Sequence, residues 1–279
     1  MKTFIKECRW GQFILIRGDM ISQYVDMYGE WAEPEVDLFK ILLPSNGICV
    51  EVGANIGMHS VPLSRICPDG VIVCFEPQRP IFYTLCGNIT INNRLNVVAR
   101  RQAVGERNET LEIELGDYEI PWNYGSFSLT SGYSREGQFA GTTTRDIVES
   151  IALDDDREVN ALPRIDLIKI DAEGFEPSVL RGASNLISRH RPDIFVEANE
   201  SETASQIMEL MRSHGYVGYW FVGHRFRADN FNRSPFRINA WDSNIIFRPP
   251  ERPPLPRDLV EVKNFGDLAR GVPIIEKYP

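Results

Sequence analysis

The chain has 279 residues, 43% of them hydrophobic, which is enough for one large α/β domain with additions or for two small domains. Its formal net charge of −9 argues against a protein that binds DNA or RNA over a broad surface, since such proteins usually present a clustered basic face. The five cysteines show no CxxC spacing, and no apolar run is long enough for a signal-peptide core or a membrane span, so we expect a cytoplasmic protein without disulfides, zinc or membrane segments.

The first 45 residues are predicted to form a separate lid or cap segment. Phe13 to Ile16 has the pattern of a strand, and Pro34 can open a helix. Tyr28 and Trp31 lie between them in an aromatic and acidic stretch. A segment that precedes the first core strand can fold over a cofactor, so we expect both side chains to contact the substrate. Packing of both on the core is the alternative.

Residues 46–250 are predicted to form one α/β domain, because apolar strands alternate with amphipathic helices. An irregular, glycine-rich insertion at 105–150 with two β-like patches interrupts this alternation. Five prolines between 249 and 256 end it, so residues 251–279 are predicted to form a proline-rich arm. The predicted strands are 48–52, 71–75, 96–103, 165–170 and 193–197, with a closing antiparallel pair at 216–222 and 243–247. The predicted helices are 58–66, 81–89, 175–187 and 204–211.

The first strand of this domain runs into a turn with two glycines, Gly53 and Gly57. An acidic residue, Glu76, follows about twenty positions later at the end of the next strand, where it can accept hydrogen bonds from a ribose diol. The third glycine of the dinucleotide fingerprint is missing, and Glu51 would repel a pyrophosphate but attract an ammonium and a sulfonium. These features favour S-adenosylmethionine and disfavour a nicotinamide oxidoreductase.

Five motifs between residues 48 and 198 together resemble the FkbM-type methyltransferases. The resemblance implies a class I, Rossmann-like fold, with a seven-stranded, mostly parallel sheet covered by helices on both faces. It also implies an O-methyltransferase that uses S-adenosylmethionine. The motifs are Val50 to Gly57, Cys74-Phe75-Glu76-Pro77, Gln102-Ala103-Val104-Gly105, Gly125-Ser126-Phe127-Ser128, and Ile168 to Glu176 followed by Val179-Leu180-Arg181-Gly182-Ala183.

The same resemblance implies a cofactor site at the ends of the first three strands. Glu51 is expected to hold the ammonium of the methionine part directly or through water, and Glu76 the ribose hydroxyls. Pro77 and Gln78 border the adenine on one side. The remaining residues of the implied site are Gly53, Ala54, Asn55, Gly57, His59, Gln102 and Ala103.

Chemistry is expected where the fourth strand ends. Methyl transfer is an in-line displacement that must aim the acceptor oxygen and remove or share its proton, and Asp171 and Glu173 are the candidates for this task. Lys169 shares a strand face with Asp171, and a buried lysine needs a partner, so we expect an ion pair between them. The alternative is that the pair only orients the loop.

Glu197 and Asn199 follow the fifth strand and could converge with Asp171. Such an oxygen set suits Mg²⁺, but the sequence does not require a metal and we do not expect one. Glu197 is also a candidate substrate contact, and Ser126 and His224 are expected around the acceptor entrance.

Three functions stay open from the sequence. The first is methyl transfer to a sugar hydroxyl of a bacterial surface polysaccharide or glycan precursor. The second is the same chemistry on a polyketide or peptide secondary metabolite, and the third is a non-catalytic scaffold that retains the fold. The acidic balance and the lack of an Asn-Pro-Pro-Tyr-like motif disfavour a nucleic-acid methyltransferase. A homodimer stays open. The basic cluster Arg225, Arg227, Arg233 and Arg237 is interpreted as a solvated loop, with a local basic groove as the alternative.

Overall fold

The computed structural model describes residues 1–129, 131–133 and 137–279. Residues 130 and 134–136 of the predicted insertion therefore lie outside the described part. The strands are β1 (Thr3–Cys8), β2 (Gly11–Ile16), β3 (Ile48–Val52), β4 (Val71–Phe75), β5 (Val97–Arg100), β6 (Ala103–Val104), β7 (Glu109–Gly116), β8 (Thr143–Ile151), β9 (Leu167–Ile170), β10 (Asp193–Glu197), β11 (Val217–His224), β12 (Trp241–Arg248) and β13 (Ile274–Ile275). The helices are α1 (Met20–Tyr28), α2 (Glu33–Leu42), α3 (Ser60–Ile66), α4 (Arg79–Ile91), α5 (Arg157–Asn160), α6 (Glu176–Arg181), α7 (Ser184–His190) and α8 (Ser201–Ser213).

The main sheet has the strand order β13-β11-β12-β10-β9-β3-β4-β5. Its central strands β10, β9, β3, β4 and β5 are parallel, whereas β12 runs antiparallel to both β10 and β11. The predicted mostly parallel sheet is thus confirmed, with an eighth strand in addition to the predicted seven. That strand is β13, a two-residue segment of the C-terminal arm that pairs with the edge strand β11.

Helices cover both faces of this sheet, as predicted. Successive side chains on a strand point to opposite faces, so Val50 and Cys49 of β3 belong to two different cores. The Val50 side packs against α6, α7 and α8, and the Cys49 side packs against α2, α3 and α4. In the described part of the chain, no helix is long and apolar enough to cross a membrane.

The insertion forms its own three-stranded sheet in the order β6-β8-β7. The predicted third strand, 96–103, was too long because the Gln102 N–H donates to Arg100 O at 3.0 Å and turns the chain out of the main sheet. Ala103 and Val104 then pair with β8 instead. The two β-like patches of the insertion, predicted at 111–115 and 147–153, correspond to β7 and β8. Strand β7 extends past its patch at both ends, whereas β8 both begins and ends earlier than predicted.

The predicted helix over 175–187 is divided into α6 and α7. At the junction Gly182 packs so closely on the insertion that an added Cβ would lie 2.0 Å from Gly105 O. The Asp154 carboxylate accepts hydrogen bonds from Asn185 N and Leu186 N, which satisfies the first turn of α7. A new helix start is therefore stabilised from outside the segment, where the local pattern could not reveal it.

The N-terminal segment consists of a hairpin, formed by β1 and β2, and the two helices α1 and α2. Asp19 caps α1 by accepting from Ser22 N at 2.8 Å, and Gly29 ends α1 in the left-handed conformation. The division of the chain at residues 45 and 250 stays a prediction.

Candidate active site

A cleft of about 1110 Å³, including its part open to solvent, lies at the carboxyl edge of the main sheet. Parallel strands all end at this edge, so the residues that follow β3, β4, β5, β9 and β10 meet there. Fourteen predicted site residues line the cleft: Trp31, Gly53, Ala54, Asn55, His59, Glu76, Pro77, Gln78, Gln102, Ala103, Lys169, Asp171, Glu173 and Glu197. Six others are not part of its lining as far as the chain is described: Tyr28, Glu51, Gly57, Ser126, Asn199 and His224.

The glycine turn after β3 holds the backbone close to the end of β9. Gly53 has φ 79°, and a Cβ there would lie 1.8 Å from Asp171 O, so only glycine fits. The N–H groups of Gly53 and Ala54 both donate to Phe75 O at 3.0 Å, which ties the turn to the end of β4. Asn55 and Gly57 also have positive φ values, 50° and 89°. The turn therefore has a tightly folded backbone, and Gly53, Ala54 and Asn55 line the cleft.

Glu76 is the acidic residue at the end of β4, and it is buried. Its Oε2 accepts from Asn55 N at 3.0 Å and its Oε1 accepts from Gln78 N at 2.8 Å. Burial raises the pKa of this carboxyl to about 7, although the two backbone N–H groups act in the opposite direction. Each oxygen keeps a lone pair for a ligand, so Glu76 can receive a diol while it holds the glycine turn.

Gln78 connects the Glu76 end of the cleft to the insertion. Its Oε1 accepts from Tyr118 Oη at 3.1 Å and from Tyr133 Oη at 2.9 Å, and its Nε2 donates to Tyr124 O at 3.0 Å. Most of the hydrogen-bonding capacity of its side chain is thus used inside the protein. The buried Gln102 Oε1, by contrast, has no hydrogen-bond partner in the described chain. Of the two glutamines, Gln102 has the amide oxygen available to a ligand.

Glu51 lies beneath the turn and outside the cleft wall. It is buried, and Ser60 Oγ donates to its Oε2 at 2.5 Å. Lys169 is its register partner on β9. Burial raises the pKa of Glu51 to about 7, and the nearby Lys169 ammonium lowers it. The expectation that Glu51 holds a ligand ammonium, directly or through water, stays a prediction.

Lys169, Asp171 and Glu173 come from the end of β9. Lys169 Nζ is 3.3 Å from Asp171 Oδ2, so the expected ion pair is present. Burial lowers the pKa of Lys169, but Asp171, Glu51 and Glu35 raise it above its ordinary value overall. Glu176 was not assigned from the sequence beyond its motif. Its Oε1 accepts from Ala172 N and Gly174 N, both at 3.0 Å, and so fixes the loop that carries Asp171 and Glu173.

Glu197 brings a further carboxyl from the end of β10. Oxygen atoms of Asp171, Glu173 and Glu197 lie within 4.8 Å of one another. Burial, followed by the charges of Glu173 and Asp171, raises the pKa of Glu197 well above its usual range. Asn199 Nδ2 donates to Glu197 Oε1 at 2.7 Å, and Asn199 Oδ1 accepts from Ser243 N at 3.2 Å. The amide oxygen of Asn199 is therefore turned to the backbone and away from this acidic cluster.

The remaining predicted substrate contacts pack inside the protein. Tyr28 is buried, and its Oη donates to Phe236 O at 3.0 Å, which connects α1 to the loop between β11 and β12. Ser126 Oγ donates to Asn123 O at 2.8 Å. His224 Nδ1 accepts from Phe226 N at 2.9 Å. These contacts support a structural role for the three residues in this conformation.

Several residues that the sequence analysis did not assign also line the cleft. Arg225 binds Asp242 through Nε and Nη2, and its guanidinium lies over the rings of Tyr24 and Trp31 at 5.3 and 5.0 Å. The interpretation of the basic cluster as a solvated loop is thus wrong for Arg225 and also for Arg227, which is buried against Asp37. Other unassigned lining residues are Met20, Ile21, Glu35, Asp242 and Asn244.

Comparison with known proteins identifies the family. The model of the methyltransferase FkbM domain matches residues 51–217. Methyltransferase 1 of Beauveria bassiana (strain ARSEF 2860) is 28% identical over 148 residues, which is 50% of this chain and 59% of that protein. Methyltransferase sdnD of Sordaria araneosa is 28% identical over 195 residues, 62% of this chain and 75% of that protein.

A crystal structure of an FkbM methyltransferase from Methylobacillus flagellatus KT aligns with 73% of this chain and 44% of its own, at 17% identity and a TM-score of 0.44. The chain thus spans well under two thirds of the length of some relatives that it matches. The mostly parallel sheet of this chain, with helices on both faces, agrees with the predicted class I methyltransferase fold. Because the family model covers more than half of the chain, the chain belongs to the FkbM methyltransferase family.

Proposed function

We propose that this chain is an S-adenosylmethionine-dependent O-methyltransferase that acts on a sugar hydroxyl of a bacterial surface polysaccharide or glycan precursor. One observation carries the proposal. The glycine turn after β3 and the carboxylate of Glu76 line the same cleft as the carboxyl groups of Asp171, Glu173 and Glu197. A donor bound between the turn and Glu76 would have its reactive end beside these groups.

The residues at the cofactor end fit S-adenosylmethionine. Glu76 has free lone pairs for the ribose hydroxyls, and the unpartnered Gln102 Oε1 can accept a hydrogen bond from the adenine amino group. Gly53 lets the turn pack against the backbone of Asp171, which brings the turn and the end of β9 together in the cleft. When bound, the donor supplies an electrophilic methyl group on a sulfonium.

The acceptor end supports a neutral, hydroxyl-bearing substrate. Trp31 offers an aromatic face, and Asp171, Glu173 and Glu197 offer hydrogen-bond acceptors around it. The positive charges of Lys169 and Arg225 are already matched by Asp171 and Asp242, so little free positive charge remains to attract an anionic acceptor. In this proposal Asp171 and Glu173 bind and aim the acceptor hydroxyl.

The first experiment measures the donor. Calorimetry should give a defined affinity for S-adenosylhomocysteine and none for NAD⁺. Binding of NAD⁺ without S-adenosylhomocysteine would refute the cofactor proposal.

The second experiment measures transfer. The protein is incubated with donor carrying a radiolabelled methyl group and with three acceptor sets: nucleotide sugars and methyl glycosides, hydroxylated polyketides, and short peptides. Label on the sugars, as a base-stable ether, supports the proposal. Label on the polyketides or peptides supports the secondary-metabolite alternative, and donor binding without transfer to any set supports the scaffold alternative.

A further inference from the structure

Helix α2 brings a buried carboxyl group into the cleft from outside the region that matches the family model, which begins at residue 51. This group is Glu35, which is 4% exposed and lies in the cleft wall. Glu33, two residues earlier, is 2% exposed but points elsewhere, where its Oε2 accepts from Trp10 Nε1 at 2.9 Å. The same helix holds three buried carboxyls, those of Glu33, Glu35 and Asp37, and Glu35 is the one that lines the cleft.

Contacts of Glu35 place it at the acceptor end. Asn244 Nδ2 donates to Glu35 Oε1 at 3.0 Å. Asn244 belongs to β12, where it is the register partner of Glu197 on β10. Strands are spaced about 4.8 Å apart, so Asn244 lies roughly 14 Å across the sheet from β3 and its glycine turn. Glu35 is thus held over the β10 and β12 side of the edge, away from the ribose contact.

The second oxygen of Glu35 faces a group that makes no hydrogen bond. His59 Nε2 is 3.3 Å from Glu35 Oε2 but lacks the alignment of a hydrogen bond. No other described residue forms a hydrogen bond with His59 Nε2. Burial, with a smaller effect from Lys169, lowers the pKa of His59 well below its usual range, so this imidazole is neutral. Oε2 therefore keeps its capacity to bind a proton.

Ionisable groups surround Glu35 on every packed element. Burial raises its pKa to about 8, Lys169 lowers it, and Asp242 and Asp171 raise it further. A proton acceptor works best when its pKa is close to the working pH. The charged or titratable groups on the neighbouring elements are Glu33 and Asp37 on α2, His59 before α3, Lys169 and Asp171 on or after β9, Glu197 on β10, His224 on β11, Asp242 on β12, and Arg225 between β11 and β12.

The other carboxyls at this end are more committed. Asp171 is held by the Lys169 ammonium at 3.3 Å. Glu197 accepts from Asn199 and lies close to both Asp171 and Glu173, so it shares its surroundings with two like charges. Glu35 has one neutral hydrogen-bond donor and one open oxygen.

We propose that Glu35 is the catalytic residue that takes the proton of the acceptor hydroxyl, an inference that rests on the proposed methyl transfer. In the step, the acceptor oxygen forms a bond to the methyl carbon, and the carbon–sulfur bond breaks with its electron pair left on sulfur. The hydroxyl proton moves to Glu35 Oε2, which later releases it to solvent. Charge and atoms balance without a further reactant.

The test compares two cofactor analogues that need no acceptor. Sinefungin carries an amino group where the donor carries its methyl group, whereas S-adenosylhomocysteine carries nothing there. Calorimetry above the pKa of Glu35 should show that Glu35→Gln lowers sinefungin affinity by about fivefold or more, because an opposite charge near the ammonium is lost. Affinity for S-adenosylhomocysteine should be unchanged. The matched control Glu33→Gln should change neither affinity.

Three binding results would overturn the inference. An equal loss for both analogues would make Glu35 a partner of the methionine ammonium, and an unchanged sinefungin affinity would remove it from the methyl-transfer position. Wild-type protein that binds no S-adenosylhomocysteine would refute the proposed function itself. If Glu35→Gln does not fold, Glu35→Met, which also removes the charge at similar size, carries the same comparison. If the transfer assay finds label on a sugar, that sugar serves as the acceptor for kinetics. With it, Glu35→Gln should lower kcat by about 10²-fold or more with little change in KM. An unchanged kcat would also overturn the inference.

Discussion

Replacement of Glu76 by glutamine tests the cofactor end most directly. The substitution keeps the size of the side chain but turns one oxygen into an NH₂ group that cannot accept from Asn55 N or Gln78 N. It also removes the charge that a ribose diol would meet. A hydrogen bond to a charged group contributes about 1.5–3 kcal/mol, so affinity for S-adenosylhomocysteine should fall by roughly 10- to 150-fold. Glu76→Ala should lower it by much more than tenfold.

The measurement is calorimetric titration with S-adenosylhomocysteine across pH. Because the pKa of Glu76 in the unliganded protein is about 7, wild-type affinity should rise with pH up to that value and level off above it. The glutamine variant should lack this rise. Glu149→Gln, an exposed change on β8, is the control, and thermal unfolding separates lost binding from lost folding. A Glu76→Gln affinity within about twofold of wild type would refute the ribose contact.

Four further predictions follow from the site. Glu51→Gln should lower S-adenosylhomocysteine affinity by less than about tenfold, because its carboxyl is bonded to Ser60 beneath the turn; a larger loss would support the ammonium contact expected from the sequence. Asp171→Asn should reduce transfer of labelled methyl by about 100-fold or more with nearly unchanged cofactor affinity, and equal losses of both would contradict an acceptor role. Transfer should persist in EDTA, and abolition that Mg²⁺ restores would establish a metal-dependent reaction. The buried carboxyls of Glu35, Glu51 and Glu76 have pKa values raised to about 7 or 8, so between pH 5 and pH 8 the folded state holds protons that the unfolded state releases. The unfolding free energy of the unliganded protein should therefore fall by more than about 1 kcal/mol from pH 5 to pH 8. Urea titrations that show a rise in unfolding free energy would contradict this sign.

Local signals in the sequence predicted the core architecture and the cofactor end. Strands β3, β4 and β10 lie at the predicted positions, because short apolar runs bounded by glycine or polar residues depend on little beyond their own composition. The glycine turn and Glu76 are also neighbours in sequence order within one strand-turn-helix-strand unit. Their convergence follows from the rule that parallel strands end at one edge.

The ends of elements were less predictable where a distant residue decides them. Asp154 starts α7 through two hydrogen bonds from outside the segment, and no pattern within 175–187 contains that information. The role of Gln78 was equally hard to predict. Its amide side chain suits an adenine contact, but tyrosines of the insertion form hydrogen bonds with the amide oxygen. In both cases the partner is contributed by another part of the chain.

By itself, the sequence determined the family and the fold class and predicted the residues of the proposed cofactor site, because these are encoded in short segments with fixed local geometry. Only the tertiary structure revealed the residues of the proposed acceptor end. Glu35 and Asn244 are separated by 209 positions yet share a buried hydrogen bond. Arg225, which follows β11, forms an ion pair with Asp242 and lies over two aromatic rings. Each of these residues is ordinary in its own segment. Burial together in one cleft is what changes their proton affinity and makes them candidates for function.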